Sequence, residues 1–195
     1  MHARILAMDS EKRAATYEDL LALPPHVTGQ IVAGVLYAFP RPAPRHAISA
    51  SALGVKIGGP FHFDEGGPGG WVILAEPELH FTDDVLVPDL AGWRRERMPV
   101  IPVDRAYFDL APDWVCEVLS PSTSALDRGD KLTVYAREKV THVWFVDPDA
   151  QTLEVLALDL DKGRYVVEAV FSGAAAVRAR PFDAIALDLA VLWQR

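Results

Sequence analysis

Trp114-Val115-Cys116-Glu117-Val118-Leu119-Ser120, with Val87-Pro88-Asp89-Leu90 upstream of it, decides how this chain is read. Each run sets one carboxylate among residues that otherwise suit a buried strand. A charge among Val, Leu and Trp is costly to desolvate, so each acid needs a partner, a metal or access to water. Side chains alternate with period two, so Glu117 and Leu119 share one strand face. Cys116 faces the other way and reads as a small core hydrophobe. Asp89 follows Pro88, whose missing amide proton suits a strand edge or bulge. On neighbouring strands Asp89 and Glu117 would meet and could hold a divalent cation.

A third group follows in Ser124-Ala125-Leu126-Asp127-Arg128-Gly129-Asp130-Lys131. Residues Ser124 to Glu138 form an amphipathic helix pattern in which Leu132, Tyr135 and Ala136 could face the core. Asp127 and Lys131 stand one helical turn apart; taken alone, they read as an exposed surface pair. With the two strand acids they match what metal-assisted phosphodiester hydrolysis requires. Carboxylates hold Mg²⁺, the ion polarises the phosphate and acidifies water, and a nearby cation offsets the charge of the transition state. In the commonest arrangement of such nucleases the lysine sits at the position that Leu119 fills here. Lys131, on the following helix, is the substitute. Lys131→Met, which keeps the stem and removes the charge, is expected to spare the fold.

Composition bounds the alternatives. A chain of 195 residues, 50% hydrophobic, can bury a full core. No apolar run approaches the roughly 20 residues of a membrane span, and the N-terminus lacks a signal-peptide core. The single cysteine excludes an internal disulfide and a Cys-rich zinc site. The plain reading is cytoplasmic. A net charge of −8 weighs against a protein that coats nucleic acid, whose affinity comes from Lys and Arg on phosphates. It does not exclude a nuclease. Arg94, Arg95 and Arg97, with Arg41 and Arg45, are the basic clusters, and such runs are more often solvated faces than binding patches.

Along the chain, residues 1–15 read as a poorly ordered lead-in and residues 16–195 as one domain. Thr16-Tyr17-Glu18-Asp19 resembles a capping box opening a short helix through Leu23, ended by Pro24-Pro25. Ala33-Gly34 reads as a hairpin turn between Gln30–Val32 and Val35–Phe39. Arg45 to Ile57 suits a helix. Gly66 to Gly70 is a plain loop, since it lacks a P-loop lysine and opens into a strand. Trp71 to Phe81, Val85 to Trp93 and Trp114 to Leu119 read as three central strands. Residues 99–113 read as Pro-rich and irregular. His142 to Val146, Leu153 to Leu158 and Arg164 to Phe171 read as further strands, the last two as a meander. Together these give an α/β or α+β protein with a mixed sheet. Trp71, Trp114 and Trp144 read as core, and Trp93 as a sheet-edge aromatic. Ser120, Ser122 and Thr123 read as helix-capping residues.

Glu76-Pro77-Glu78-Leu79, Val87-Pro88-Asp89-Leu90, Glu117 to Thr123, Asp127, Lys131, Tyr135 and Val143 to Pro148, in this order, resemble the Uma-two family of restriction-endonuclease-like proteins. That family belongs to the PD-(D/E)xK nuclease superfamily, and the likeness spans roughly Thr16 to Phe171. The resemblance implies a restriction-endonuclease-like fold, a mixed sheet flanked by helices. It also implies a Mg²⁺ site, with Mn²⁺ as substitute, on Asp89 and Glu117, assisted by Lys131. Glu76 corresponds to an acid that either lines the site or hydrogen-bonds structurally. His46 matches a histidine at the family's first long helix, a place where a structural hydrogen bonder is commoner than a base. Gln30 stands where the family carries a carboxylate, which should lower metal affinity. The expected substrate is DNA, with a homodimer for double-strand cleavage. The alternative is an attenuated or inactive interaction module on the same fold.

Overall fold

The computed structural model describes residues 13–194. Asp19 accepts a hydrogen bond from the Thr16 amide at 2.8 Å, which caps helix α1 (Tyr17–Leu21). Strands β1 (Val27–Val32) and β2 (Val35–Pro40) form the expected hairpin. Ala33 and Gly34 both have positive φ, 51° and 75°, the geometry a two-residue hairpin turn needs. Helix α2 (Pro44–Ile57) begins with Pro at its first position, where no intrahelical amide is required. Its course continues into a π-helical turn, Gly58–His62.

The two long strands expected over residues 71–93 are each divided. Trp71–Ala75 is β3, Leu79–Phe81 is β4, Asp84–Leu86 is β5 and Leu90–Arg94 is β6. Glu76 takes φ of 47° and is followed by Pro77, while Pro88 separates β5 from β6. Proline cannot donate to a ladder, so pairing stops at both places. As a result β4 and β5 join the hairpin in a four-stranded sheet, ordered β2-β1-β5-β4. Strands β3 and β6 enter a six-stranded sheet with β7 (Trp114–Val118), β8 (His142–Asp147), β9 (Thr152–Asp159) and β10 (Arg164–Ser172), ordered β10-β9-β8-β7-β6-β3. Only β7 and β8 pair in parallel within it. A parallel pair needs a crossover, and the helical segment after β7 supplies it. That segment comprises α3 (Ser124–Leu126), a π-helical turn (Asp127–Lys131) and α4 (Leu132–Arg137).

The six-stranded sheet is apolar on both faces. One face, with Val115, Leu119, Phe145 and Leu156, packs on the smaller sheet and on α4. The other, with Trp71, Trp114, Cys116 and Trp144, packs on α2 and on the C-terminal segment. The tryptophan reading therefore stands for those three. Trp93 is fully buried on β6, an interior strand, with its indole N–H donated to the Leu110 carbonyl at 2.8 Å, and is not a sheet-edge aromatic.

The sequence reading assigned nothing to residues beyond 171. There, strands β11 (Ala176–Val177) and β12 (Leu187–Asp188) and a 3₁₀ turn (Leu189–Trp193) close the core. Phe182 is the hub, with ring centroids 4.7–5.6 Å from Phe61, Trp71, Trp114 and Trp144. Among the described residues no helix is long and apolar enough to cross a membrane. Phe182→Ala should destabilise the protein by about 3–5 kcal/mol, as large-to-small changes at well-packed aromatic sites do. Urea denaturation followed by tryptophan fluorescence measures this.

Candidate active site

Register brings the acids together. Ala75 pairs with Leu90, and Leu90 with Cys116. One step beyond those rungs Glu76, Asp89 and Glu117 occupy a single row across three adjacent strands. The Glu76 amide donates to the Asp89 carbonyl at 3.0 Å. The Val118 amide donates to Asp89 Oδ2 at 2.6 Å, which pins that carboxylate against the backbone beside Glu117. Asp89 Oδ1 lies 3.2 Å from His46 Nε2, which α2 carries over the row.

The π-helical turn completes the cluster. Four residues overshoot a regular helical turn by about 40°, and a wider turn offsets that drift. Asp127, Lys131 and Tyr135 consequently share the face turned to β7. Lys131 Nζ lies 2.6 Å from Glu117 Oε1 and 3.1 Å from Asp127 Oδ1, and Tyr135 donates its hydroxyl to Glu117 Oε1 at 2.5 Å. Lys131 is 1% exposed, Glu117 2% and Asp127 3%. The Asp127–Lys131 contact is thus buried, unlike the surface pair its spacing alone suggests.

Three carboxylates share one ammonium and one imidazole. Burial, with Asp127 and Asp89 adding to it, pushes the Glu117 carboxyl up to about 8 against the pull of Lys131. For Lys131, burial works against the charge, but Glu117 and Asp127 outweigh it and raise the ammonium above its ordinary value. Burial likewise opposes protonation of His46, and its bond to Asp89, with the charges of Asp89, Glu117 and Asp127, still raises it. Burial and the Glu117 charge hold the Tyr135 phenol far above its usual range, so it stays a donor.

A cleft of about 320 Å³ reaches this cluster at His46 and Asp89, while Glu117, Asp127, Lys131 and Tyr135 lie behind its lining. Gln30, His46, Glu76 and Asp89 all line it. Gln30 uses its Oε1 to accept the Val87 amide at 3.0 Å, so its amide oxygen pins β1 to the segment leading into Asp89. Ser120, Ser122 and Thr123 also line the cleft. Their hydroxyls bond one another, Ser120 to Ser122 at 2.9 Å and to Thr123 at 3.0 Å, and none caps the following helix. Arg41 is on the rim, whereas Arg45 pairs with Asp149. Arg94, Arg95 and Arg97 belong to the other end of β6. Arg94 lies over Trp71, Arg95 bonds the Trp71 carbonyl and Arg97 pairs with Asp113. Tyr135 and the three hydroxyls are the site residues to which sequence reasoning gave no site role. Their signal was membership of the motifs that resemble the family, Glu117 to Thr123 and Tyr135.

The family described as Uma2, Putative restriction endonuclease, matches residues 15–191. The chain belongs to that family. A crystal structure described as a putative nuclease belonging to DUF820 from Anabaena variabilis aligns with a TM-score of 0.72 and 23% identity, covering 92% of this chain and 97% of the other. A search of curated proteins gives no match. Family and fold together place the chain among restriction-endonuclease-like proteins. Among the described residues no group of three or more His, Cys, Asp or Glu side chains is arranged to hold a metal ion.

Lys131→Met leaves two buried carboxylates without their cation, so the expectation that it spares the fold does not survive this geometry. The variant should lose about 3–5 kcal/mol of stability, the cost of breaking a buried pair by removing one partner, measured by urea denaturation. The Glu117 proton gives a second expectation. Its folded-state affinity is raised, so its stabilisation is full below the ordinary carboxyl range and is lost as pH climbs through about 8. In metal-free buffer the urea midpoint should fall between about pH 5 and about pH 9, and fall less in Glu117→Gln.

Proposed function

We propose that this protein is a divalent-metal-dependent nuclease that hydrolyses DNA phosphodiesters at the Asp89–Glu117–Lys131 cluster. The observation that carries this reading is the cross-strand row, with Asp89 in the wall of a cleft and beside Glu117, whose carboxylate lies 2.6 Å from the buried Lys131 ammonium. By donor chemistry Asp89 and Glu117 would suit Mg²⁺ or Mn²⁺. Both acids offer hard oxygen ligands, the cluster carries more carboxylates than cations, and Mg²⁺ keeps several waters and takes one or two carboxylates rather than a full protein cage. When bound, the ion supplies Lewis acidity toward the phosphate and lowers the pKa of its water.

The chain's own residues have separate tasks in this reading. Asp89, fixed through one oxygen by the Val118 amide, presents the other toward the cleft beside His46. His46 is a positioning residue that orients that carboxylate. Lys131 carries positive charge to the point where an attacking water meets the phosphate, and Asp127 and Tyr135 hold Lys131 and Glu117 in place. Hydrolysis joins the water oxygen to phosphorus and breaks the bond to the leaving sugar oxygen, which takes a proton. Cutting both strands of a duplex would take two copies of the chain.

A second reading, an attenuated member that binds without cutting, has one observation in its favour. Glu117 is closed off by Lys131 and Tyr135, and a metal must displace part of that contact. One experiment separates the two. Purified protein is titrated with Mn²⁺ by calorimetry and incubated with plasmid and oligonucleotide DNA, beside Asp89→Asn and Glu117→Gln. The nuclease reading expects metal binding and metal-dependent cleavage in the wild type, with cleavage reduced at least about a hundredfold in either variant. Metal binding without cleavage favours the second reading. Cleavage that survives Glu117→Gln unchanged removes the proposed site.

A further inference from the structure

Asp89 stands where two hollows meet. The cleft of about 320 Å³ and a second hollow of about 430 Å³ along α2 share Pro42, His46, Glu76 and Asp89 in their linings. Ala47, Ala50, Ser51 and Gly54 line that second hollow, and such short side chains let another backbone approach the helix closely. The first hollow has apolar walls, Phe39, Pro40 and Pro121, and its polar lining away from the shared His46, Glu76 and Asp89 is Thr28, Gln30, Arg41 and the Ser120–Ser122–Thr123 hydroxyls. Both lie toward the small end of ligand cavities, roughly 300–1,000 Å³.

An intact duplex suits this shape poorly. Its phosphates stand on a broad convex surface, and affinity for it grows with the number that Lys and Arg neutralise. Of the five arginines in the chain's basic clusters only Arg41 lines the cleft, while the other four are engaged with Asp149, Trp71 or Asp113. The chain as a whole carries −8. The acids are recessed as well, Glu117 being 2% exposed and the Asp89 side chain 17%. A single unpaired strand is narrow enough to descend to Asp89. Its bases can lie on apolar and ring surfaces, and its charge requirement is smaller than a duplex's.

We propose that the two hollows form one track for an unpaired DNA strand, with the scissile phosphate over Asp89 and a flanking nucleotide in each hollow. This rests on the nuclease reading and narrows its substrate to single-stranded, flapped or frayed DNA. Arg41 and the three hydroxyls then meet the phosphate or base edge on the first side, and the Ala47–Gly54 face of α2 carries the strand away on the second.

The test is a fluorescence-anisotropy titration of the full chain with a labelled single strand, the same strand in a blunt duplex, and that duplex bearing an unpaired flap. Ca²⁺ replaces Mg²⁺, so that binding is read apart from cleavage. The single strand and the flap should bind at least about tenfold more tightly than the blunt duplex. Ser122→Glu places a carboxylate at an exposed position in the first hollow and should weaken single-strand binding by at least about tenfold, with the fold verified by circular dichroism. Arg41→Glu should act in the same direction. Equal or tighter binding of the blunt duplex overturns the proposal, as does absence of binding to all three DNAs. Single-strand affinity unchanged in both variants overturns the location of the track. Binding of the single strand with no cleavage in Mg²⁺ or Mn²⁺ refutes the nuclease reading and leaves the track in place.

Discussion

One ammonium group, on Lys131, makes the rest of the site possible. Glu117 projects from a central strand into an interior where an ionised carboxylate cannot persist alone. Lys131 and Tyr135 meet it at 2.6 and 2.5 Å, and Asp127 meets Lys131 at 3.1 Å. Without those contacts the acid would have no buried partner at all, and its burial would push its proton affinity higher still. Burial of the cluster also means that proton, ammonium and any bound cation compete for the same few oxygens. Such competition is how a site becomes responsive to pH and metal at once.

The helix that delivers Lys131 is also the crossover that makes the β7–β8 pair parallel. A regular helix would rotate Asp127, Lys131 and Tyr135 progressively around its axis. The wide turn at Asp127–Lys131 keeps them in one line, and local widening of this kind is frequently found at functional sites. Chemistry and topology are thereby carried by one segment.

Interrupted strands shape the opposite wall. Glu76-Pro77 and Val87-Pro88 each interrupt a strand beside an acid of the row. The chain then passes from the larger sheet to the smaller one and back, and the gap between the sheets opens at that end as the cleft. Gln30 braces the gap by accepting the Val87 amide. On the far face, the C-terminal segment seats Phe182 among three tryptophans and holds α2, and with it His46, in place. Ser49 on α2 donates its hydroxyl to the Leu192 carbonyl at 2.6 Å, which ties the two together.

Much of this was legible in the residues alone. Apolar runs between turn residues pointed to strands at 114–119, 142–146, 153–158 and 164–171, and the structure has them at 114–118, 142–147, 152–159 and 164–172. The spacing of Pro and Gly set the hairpin at Ala33-Gly34, and the costly isolation of Asp89 and Glu117 in apolar runs marked those two as belonging together. These are local signals, or charges whose burial is itself a demand for a partner. Other features needed the tertiary structure. The division of residues 71–93 between two sheets depends on which ladder each short strand joins. The burial of the Asp127–Lys131 pair depends on what packs over it, because the same spacing occurs on any exposed helix. Trp93 became an interior residue only when β3 and β7 flanked its strand, and Ser120, Ser122 and Thr123 became cleft residues only when β2 and α2 closed over them. Sequence determines what each side chain requires; the fold determines which neighbours meet that requirement, since partners far apart in the chain are chosen by packing and register, which no local pattern encodes.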